Sequence, residues 1–256
     1  MDTLVFLGTG DSLGVPRVYC DCPVCSEARS TGRNRRFRSS ALMQTPEGDL
    51  LIDCGPDWTA QMEAIGERTL SHALITHPHH DHIAGLPEGL DACRWTGQRG
   101  TVYAPAAVFA TIRRQYPWLE SRLVYVPNDE GMIFGGWSIR PWEVCHGKNG
   151  TSFAYRFEKN GFRWAYCSDA IRLTEEQKKP IHQLDLLVLG TNYYKEDADP
   201  ASRSVYDMTE AAELIREVNP KLVLFTHMSH GVDISAKYEL PPNAELAVFG
   251  RKIALS

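Results

Sequence analysis

Four histidines and one aspartate occupy six consecutive positions in "HPHHDH", residues 77–82. The pattern is H-x-H-x-D-H, and it follows the apolar segment "HALIT", which is typical of a strand. Neutral imidazoles and carboxylates both bind divalent first-row metals. A catalytic ion usually takes three protein ligands and keeps one position open. The cluster offers four ligands, His77, His79, Asp81 and His82, and therefore predicts two ions side by side.

Three more candidate ligands follow later predicted strands. His146 follows "WEVC", Asp169 follows "WAYCS", and His227 follows "LVLFT". Sheets of α/β proteins commonly build their sites where strands end. Each of these residues alone would more often have a structural role. Together with the cluster, they indicate one shared metal site.

A second set of metal-binding residue types lies near the front of the chain. "CDCPVC" places thiols at Cys20, Cys22 and Cys25. Three thiolates form an incomplete tetrahedral zinc site, so a fourth ligand has to come from elsewhere. His230, three residues after His227, is the best candidate. Reduced free thiols and a redox pair are the alternatives.

Composition limits the function classes. The 256 residues are 43% hydrophobic and 23% charged, which is ordinary for a globular protein. The net charge of −5 disfavours a nucleic-acid partner, but it allows a small phosphorylated substrate. The sequence shows no apolar run of membrane-spanning length and no signal-peptide pattern at its start, so we expect a cytoplasmic protein with no membrane contact.

The apolar pattern predicts about a dozen strands and a few amphipathic helices. Two sheets packed together with helices outside would bury all their apolar faces. We therefore predict a single domain over residues 1–256. The predicted helices are 57–67, 106–116 and 207–219, and the predicted strands are 3–8, 40–45, 49–55, 72–76, 101–104, 122–126, 137–144, 152–158, 162–169, 185–190, 221–226 and 245–250.

The sequence resembles the metallo-β-lactamase superfamily. The resemblance lies in H-x-H-x-D-H followed by a lone His, a lone Asp and a last His, and in "FLGTG" and "LIDCG" before them. The resemblance spans nearly the whole chain. It implies an α+β fold, a four-layer αββα sandwich with two metals at one edge. It also implies that Asp53 orients a ligand imidazole. By this resemblance, the first ion is held by His77, His79 and His146, the second by Asp81, His82 and His227, and Asp169 bridges them.

The C-x-C-x-x-C insert and the ending T-H-x-S-H resemble, within that superfamily, the PhnP-like phosphodiesterases of the carbon–phosphorus lyase pathway. This implies a structural zinc, held by Cys20, Cys22, Cys25 and His230 in an insert at about residues 17–38. It also implies manganese or zinc in the active site. Relatives of this kind suggest a homodimer.

The sequence departs from that family in one segment. The family has a histidine before the late helix, whereas residues 183–226 contain none. Asp81 and Asp207 are our candidate catalytic carboxylates. Asp207 is either a general acid or the residue that caps the helix, with Glu210 completing a capping box. Other candidates for binding the substrate phosphate are Arg203, Tyr193 and Tyr194.

These observations predict a metal-dependent phosphodiesterase. A hydroxide held between two ions would attack the phosphorus of a small, cyclic phosphate diester. One alternative is another hydrolase of the same superfamily, acting on a lactam, a thioester or an RNA end. The other alternative is a non-catalytic zinc-binding module, which the cysteine site alone would allow.

Overall fold

The apolar segments of the sequence form two sheets in the computed structural model, which describes residues 1–69 and 71–256. The described residues form fourteen strands and seven α-helices. The strands are β1 (Thr3–Gly8), β2 (Ser40–Thr45), β3 (Gly48–Ile52), β4 (His72–Leu74), β5 (Gly100–Ala104), β6 (Leu123–Pro127), β7 (Met132–Phe134), β8 (Trp137–Cys145), β9 (Thr151–Lys159), β10 (Phe162–Cys167), β11 (Leu186–Gly190), β12 (Leu222–Thr226), β13 (Ala244–Leu246) and β14 (Lys252–Ala254). The helices are α1 (Pro23–Ser30), α2 (Trp58–Ile65), α3 (His80–Ile83), α4 (Leu86–Trp95), α5 (Ala106–Gln115), α6 (Glu175–Lys178) and α7 (Met208–Val218).

Each sheet has seven strands. The first has the order β14-β1-β2-β3-β4-β5-β6, and the second has the order β13-β12-β11-β10-β9-β8-β7. Strands β3 to β6 are parallel, and so are β10, β11 and β12. Strand β8 runs in the same direction as β10 because both are antiparallel to β9. The carboxyl ends of β8, β10, β11 and β12 therefore share one edge of the second sheet.

The two sheets pack face to face through an apolar core. In β1, Leu4 and Phe6 face the other sheet, whereas Val5 and Leu7 face the helices. Both faces of this strand are buried, which explains its continuous apolar run. On the opposite sheet, the rings of Phe157 and Trp164 stack with their centroids 3.8 Å apart.

Helices cover the outer face of each sheet. Residues of α2, α4 and α5 pack on the first sheet, and residues of α7 pack on the second. In α7 the predicted stripe of Leu214, Ile215 and Val218 is buried, and Asn219 ends the helix with φ 50°. These layers confirm the predicted α+β sandwich.

The structure differs from the sequence-based prediction in its shortest elements. The predicted strand 245–250 ends at Leu246, and the predictions missed β7, β14, α1, α3 and α6. For α4 the sequence indicated only that "IAGLPEGL" can start a helix. Strands β7 and β14 have only three residues each. Helix α1 buries only Cys25 and Ala28, so its sequence lacks an apolar stripe. Across the described residues, no helix combines the length and apolarity needed to cross a membrane.

Candidate metal centre

The predicted ligands lie where strands of both sheets end. His77 and His79 follow β4, and the next two ligands lie in the short helix α3. In the second sheet, His146 directly follows β8, Asp169 comes two residues after β10, and His227 directly follows β12. The fold thus brings residues 150 positions apart in the sequence to one edge of the sandwich.

The first ligand group consists of His77, His79 and His146, whose ligand atoms all lie within 4.8 Å of one another. His77 Nε2 and His79 Nδ1 are 2.8 Å apart. Two imidazole nitrogens this close would normally share a proton or a cation. This is the grouping that the resemblance implies for the first ion.

The second ligand group consists of Asp81, His82 and His227, whose ligand atoms also lie within 4.8 Å of one another. Asp81 Oδ2 is 3.1 Å from His82 Nε2 and 3.7 Å from His227 Nε2. All three residues are buried. By contrast, His80 in the same motif is exposed, which agrees with its position as the variable residue of the pattern.

Asp169 lies between the two groups. Its Oδ1 is 3.7 Å from His146 Nε2 and 3.1 Å from His227 Nε2, and its Oδ2 is 3.3 Å from His82 Nε2. One carboxylate therefore reaches nitrogens of both groups. This position is the one required of a bridging ligand.

The donor set fits divalent metal ions. Within the described part of the chain, four buried atoms of these ligand residues make no hydrogen bond: His82 Nε2, His227 Nδ1, His227 Nε2 and Asp169 Oδ2. Unsatisfied buried polar atoms are rare and costly. The carboxylate oxygens of Asp81 and Asp169 lie 3.1–3.7 Å from the Nε2 atoms of His82 and His227. Imidazole nitrogens and carboxylate oxygens are ligands that divalent first-row metals accept. Their close grouping here fits cations shared between them.

Other groups fix the orientation of the ligand rings from behind. His77 Nδ1 lies 3.0 Å from Thr76 Oγ1, and His82 Nδ1 lies 2.7 Å from Asp53 Oδ2. His146 Nδ1 donates to the carbonyl of Ser204 over 2.8 Å. Each contact leaves the other ring nitrogen to face the site. Such contacts fix the tautomer of a metal-binding histidine.

The electrostatics of the cluster are strongly coupled. Burial disfavours the charged form of His227, but Asp169 and Asp81 outweigh burial and raise its pKa to about 10. Burial likewise opposes charge on His82, yet Asp81, Asp53 and Asp169 raise its pKa well above 6.5. Burial lowers the pKa of His77. In the absence of metal, the protein thus holds protons on His82 and His227, where the carboxylates are.

The cysteine site is also assembled. Nδ1 of His230 lies 3.3 Å from Sγ of Cys20, 3.5 Å from that of Cys22 and 3.6 Å from that of Cys25. The backbone N–H of Arg17 donates to Cys25 Sγ over 3.4 Å. Three sulfurs and one imidazole nitrogen around a common point match a structural zinc site. The structure brings together all four residues named from the sequence.

A buried arginine connects the two centres. Nη2 of Arg36 donates to the carbonyls of Ser229 and Val232 over 2.9 and 2.8 Å. The segment 227–232 contains His227 of the metal centre and His230 of the cysteine site. Arg36 therefore holds one short segment that serves both sites. No sequence pattern predicts this contact, because the arginine-rich run "RNRRFR" at residues 33–38 is typical of a solvated loop.

Arg203 lies inside a network of carboxylates. The guanidinium of Arg203 binds Glu210 over 2.8 and 2.6 Å and Glu196 over 3.2 Å, and Asp207 Oδ2 lies 3.4 Å from it. Its charge is thus compensated by three acidic side chains. The predicted role of Arg203 in binding phosphate gains no support from these contacts.

Asp207 caps α7. Its carboxylate accepts from the backbone N–H groups of Glu210 and Glu196 and from Thr209 Oγ1, and the capping box with Glu210 is complete. These contacts are those of a helix cap, whereas the role of Asp207 as a general acid stays a prediction. The capping interpretation of Asp207 is therefore confirmed.

The two candidate tyrosines pack against the segment that follows the cysteine site. Tyr193 lies so close to Gly231 that a Cβ there would come within 2.4 Å of its ring. Tyr194 packs against Tyr238, with ring centroids 5.0 Å apart. Their roles in substrate binding stay predictions.

Asn149, a polar side chain at the metal-facing edge, was not predicted from the sequence. Nδ2 of Asn149 lies 3.2 Å from Nε2 of His146. The only sequence signal is its position three residues after a predicted ligand, in the turn "HGKNG".

The fold is a four-layer αββα sandwich with two groups of metal-binding residue types at one edge. A family model described as a beta-lactamase superfamily domain matches residues 49–228, and the chain belongs to the metallo-β-lactamase superfamily. The sequence is also similar to an octanoyltransferase of Porphyromonas gingivalis, with 30% identity over 255 residues and 93% of this chain covered. The chain spans about half, 49%, of the length of that relative.

Two solved structures resemble the chain over its full length. One is a diphosphatase from the PhnP family, with 27% identity and a TM-score of 0.87, covering 100% of this chain and 98% of that one. The other is the Zn²⁺-bound PqqB of Methylobacterium extorquens, with 20% identity and a TM-score of 0.80, covering 99% of this chain and 100% of that one. The second likeness shows the fold alone. The first agrees with the resemblance to PhnP-like proteins found in the sequence.

Proposed function

We propose that this chain is a metal-dependent hydrolase of a small phosphate diester. The observation that carries the proposal is the convergence of two three-residue ligand groups on one bridging carboxylate, Asp169. Two ions held there would supply a nucleophile derived from water near neutral pH and positive charge for phosphate oxygens.

The protein's own contribution is orientation. Thr76, Asp53 and the carbonyl of Ser204 hold three ligand imidazoles from behind, so their free nitrogens face a common space. A preorganised site of this kind loses little energy to rearrangement when substrate binds. The site lies at one edge of the sandwich, where the strands that carry its ligands end.

Charge favours a diester as the substrate. A phosphate diester carries one negative charge, so a site with two cations binds it without a large basic surface. The chain has a net charge of −5, and Arg203, a basic residue predicted to bind phosphate, is bound to carboxylates. These features support a small diester, cyclic in the interpretation made from the sequence, over a long nucleic acid.

A diphosphate is the second candidate substrate class. The similar PhnP-family structure is that of a diphosphatase. Hydrolysis of a P–O–P anhydride needs the same in-line attack and the same stabilised leaving oxygen as hydrolysis of a diester. The same ligand groups would serve both reactions.

An assay with matched histidine variants tests the proposal. The protein, loaded with manganese or with zinc, is given bis(p-nitrophenyl) phosphate, a nucleoside 2′,3′-cyclic phosphate, a dinucleoside diphosphate and a β-lactam. We expect turnover of at least one phosphate substrate. His79→Ala should lower kcat/KM by more than about 100-fold. Loss of a residue that only supports a metal ligand typically costs about 10–100-fold. His80→Ala, which removes the exposed histidine of the motif, should retain activity.

Two results would overturn the proposal. One is metal-loaded protein that turns over none of the phosphate substrates. The other is equal activity of the His79→Ala and His80→Ala proteins. Turnover of the lactam alone would favour another hydrolase of the superfamily.

A further inference from the structure

We propose that Asn149 binds the substrate, its side-chain amide donating a hydrogen bond to a non-bridging phosphate oxygen; this inference rests on the proposed hydrolysis of a phosphate ester. Asn149 ends the 3₁₀ turn Gly147–Asn149 between β8 and β9, and its side chain is exposed to solvent. Its Nδ2 lies 3.2 Å from Nε2 of the predicted ligand His146.

The direction of that contact follows from the tautomer of His146. Nδ1 of this ring lies 2.8 Å from the carbonyl of Ser204, which can only accept, so Nδ1 carries the proton. Nε2 is then the bare nitrogen that faces the metal centre. The amide of Asn149 is thus the donor, and it points at the atom that would bind the first ion.

This amide contacts a metal-facing nitrogen of the first ligand group. His77 Nε2 and His79 Nδ1 contact each other, within the ligand group. His146 Nε2 instead contacts Asn149, a residue outside the ligand group. With the lone pair of Nε2 committed to an ion, the N–H groups of Asn149 need another acceptor. A phosphate oxygen on that ion is an acceptor within reach of the exposed amide.

The turn holds the amide in place through backbone contacts. The N–H of His146 donates to the carbonyl of Gly150 over 2.8 Å, and the N–H of Asn149 donates to the carbonyl of His146 over 3.1 Å. Gly147 and Gly150 both have positive φ, 56° and 90°. A Cβ on Gly147 would meet the carbonyl oxygen of Arg203 at 2.1 Å. A donor on a braced turn loses little entropy when it binds substrate.

The surroundings leave room for this role. Residues 183–226 contain no histidine, and the two charged candidates of that segment are engaged elsewhere. Arg203 binds Glu196 and Glu210, and Asp207 caps α7. A neutral amide from the β8–β9 turn supplies a donor from another direction. It also suits a substrate that carries a single negative charge.

The test compares two asparagines at opposite ends of β9. Asn149→Ala and Asn149→Asp remove the donor, and the aspartate adds a negative charge. Asn160→Gly is the control, because Asn160 lies in the β9–β10 turn with φ 50°, a conformation that glycine adopts freely. Each manganese-loaded protein is titrated calorimetrically with inorganic phosphate, its metal content is measured, and KM and kcat for bis(p-nitrophenyl) phosphate are determined.

We expect Asn149→Ala to weaken phosphate binding and raise KM by about tenfold, the size of one lost hydrogen bond to a charged acceptor. Asn149→Asp should weaken both further, and Asn160→Gly should match the unmodified protein. Metal content should be equal in all four proteins.

Three results would overturn the inference. The first is that Asn149→Ala binds phosphate within about twofold of the unmodified protein. The second is that its weaker phosphate binding is explained by loss of metal. The third is that the unmodified protein binds no phosphate. Failure of the proposed function is separate: the unmodified protein would then bind phosphate through Asn149 but hydrolyse no phosphate ester.

Discussion

Asp53 supports the metal centre without being one of its ligands. The carboxylate is completely buried and accepts from Thr76 N–H and Thr76 Oγ1 over 2.9 and 3.0 Å, and it lies 2.7 Å from His82 Nδ1. His82 itself faces Asp81 and Asp169. An orienting group of this kind raises the basicity of the ligand and fixes its ring.

Asp53→Asn keeps the shape of that side chain but removes its charge. We expect the affinity of the second ligand group for metal to fall by about 10–100-fold, since His82 loses its anionic partner. Zinc at the cysteine site should stay bound. Competition with a chelator of known affinity, followed by metal analysis, measures both. Unchanged affinity at the second group would contradict the role given to Asp53.

The protonation of His227 and His82 predicts proton release when metal binds. The pKa of His227 is raised to about 10, so at pH 7.5 its ring is protonated in metal-free protein and has to lose that proton to bind an ion. His82 behaves in the same way. Calorimetric titration with manganese, in buffers of different ionisation enthalpy and on protein whose cysteine site already holds zinc, should therefore show release of about two protons from these rings. The release should decline as the pH rises through about 10. Release of none at pH 7.5 would contradict this account.

At the scale of elements, α7 depends on its N-cap residue, Asp207. Asp207 accepts from the backbone N–H of Glu210 over 2.8 Å, and the Glu210 side chain returns a contact to the Asp207 backbone over 3.2 Å. Loss of a helix cap of this kind costs about 1–2 kcal/mol. The cap lies three residues after Ser204, whose carbonyl contacts His146 Nδ1. A change at the cap therefore also affects the segment that orients His146.

Two substitutions separate capping from acid catalysis at Asp207. Asp207→Ala should lower the free energy of unfolding by about 1–2 kcal/mol in urea denaturation. Asp207→Asn can still accept from the backbone N–H of Glu210, so it should lose less stability than Asp207→Ala and keep most of the activity. A missing general acid would lower the activity by about 100-fold or more. A loss of that size in the folded Asp207→Asn protein would show that Asp207 does more than cap the helix.

Much of the fold was predictable because its signals are local. The predicted runs at residues 3–8 and 40–45 match β1 and β2 residue for residue. Asn160 and Gly161, which connect β9 to β10, have the positive φ that these two residue types tolerate best. The weak elements were missed because three-residue strands such as β7 have no period to detect. Their pairing depends on the neighbouring strand instead.

The metal-facing residues were predictable from the sequence, but the residues behind them were not. His77, His79, Asp81 and His82 form a dense motif. By contrast, the Ser204 carbonyl that orients His146 is a backbone atom 58 positions away, with no signal in its residue type. Asn149 is a single polar residue in a loop, and only the folded turn shows which ring it faces.

At the scale of the whole molecule, two sheets bring their strand ends to one edge, and the segment 227–232 connects that edge to the cysteine site. Arg36 fixes this segment from the insert. The two candidate metal sites therefore share a short piece of backbone, three residues from His227 to His230. A folded insert with its zinc would hold His227 in the position that the second ion requires.

Counting the metals in the purified, metal-replete protein tests the central claim most directly. We predict about three ions per chain in the unmodified protein, about two in Cys25→Ser and about one in Asp169→Ala, since the cysteine site and the two ligand groups would each hold one. A count of about one ion per chain, lost in Cys25→Ser and unaffected by Asp169→Ala, would leave only a zinc-binding module and contradict a paired metal centre.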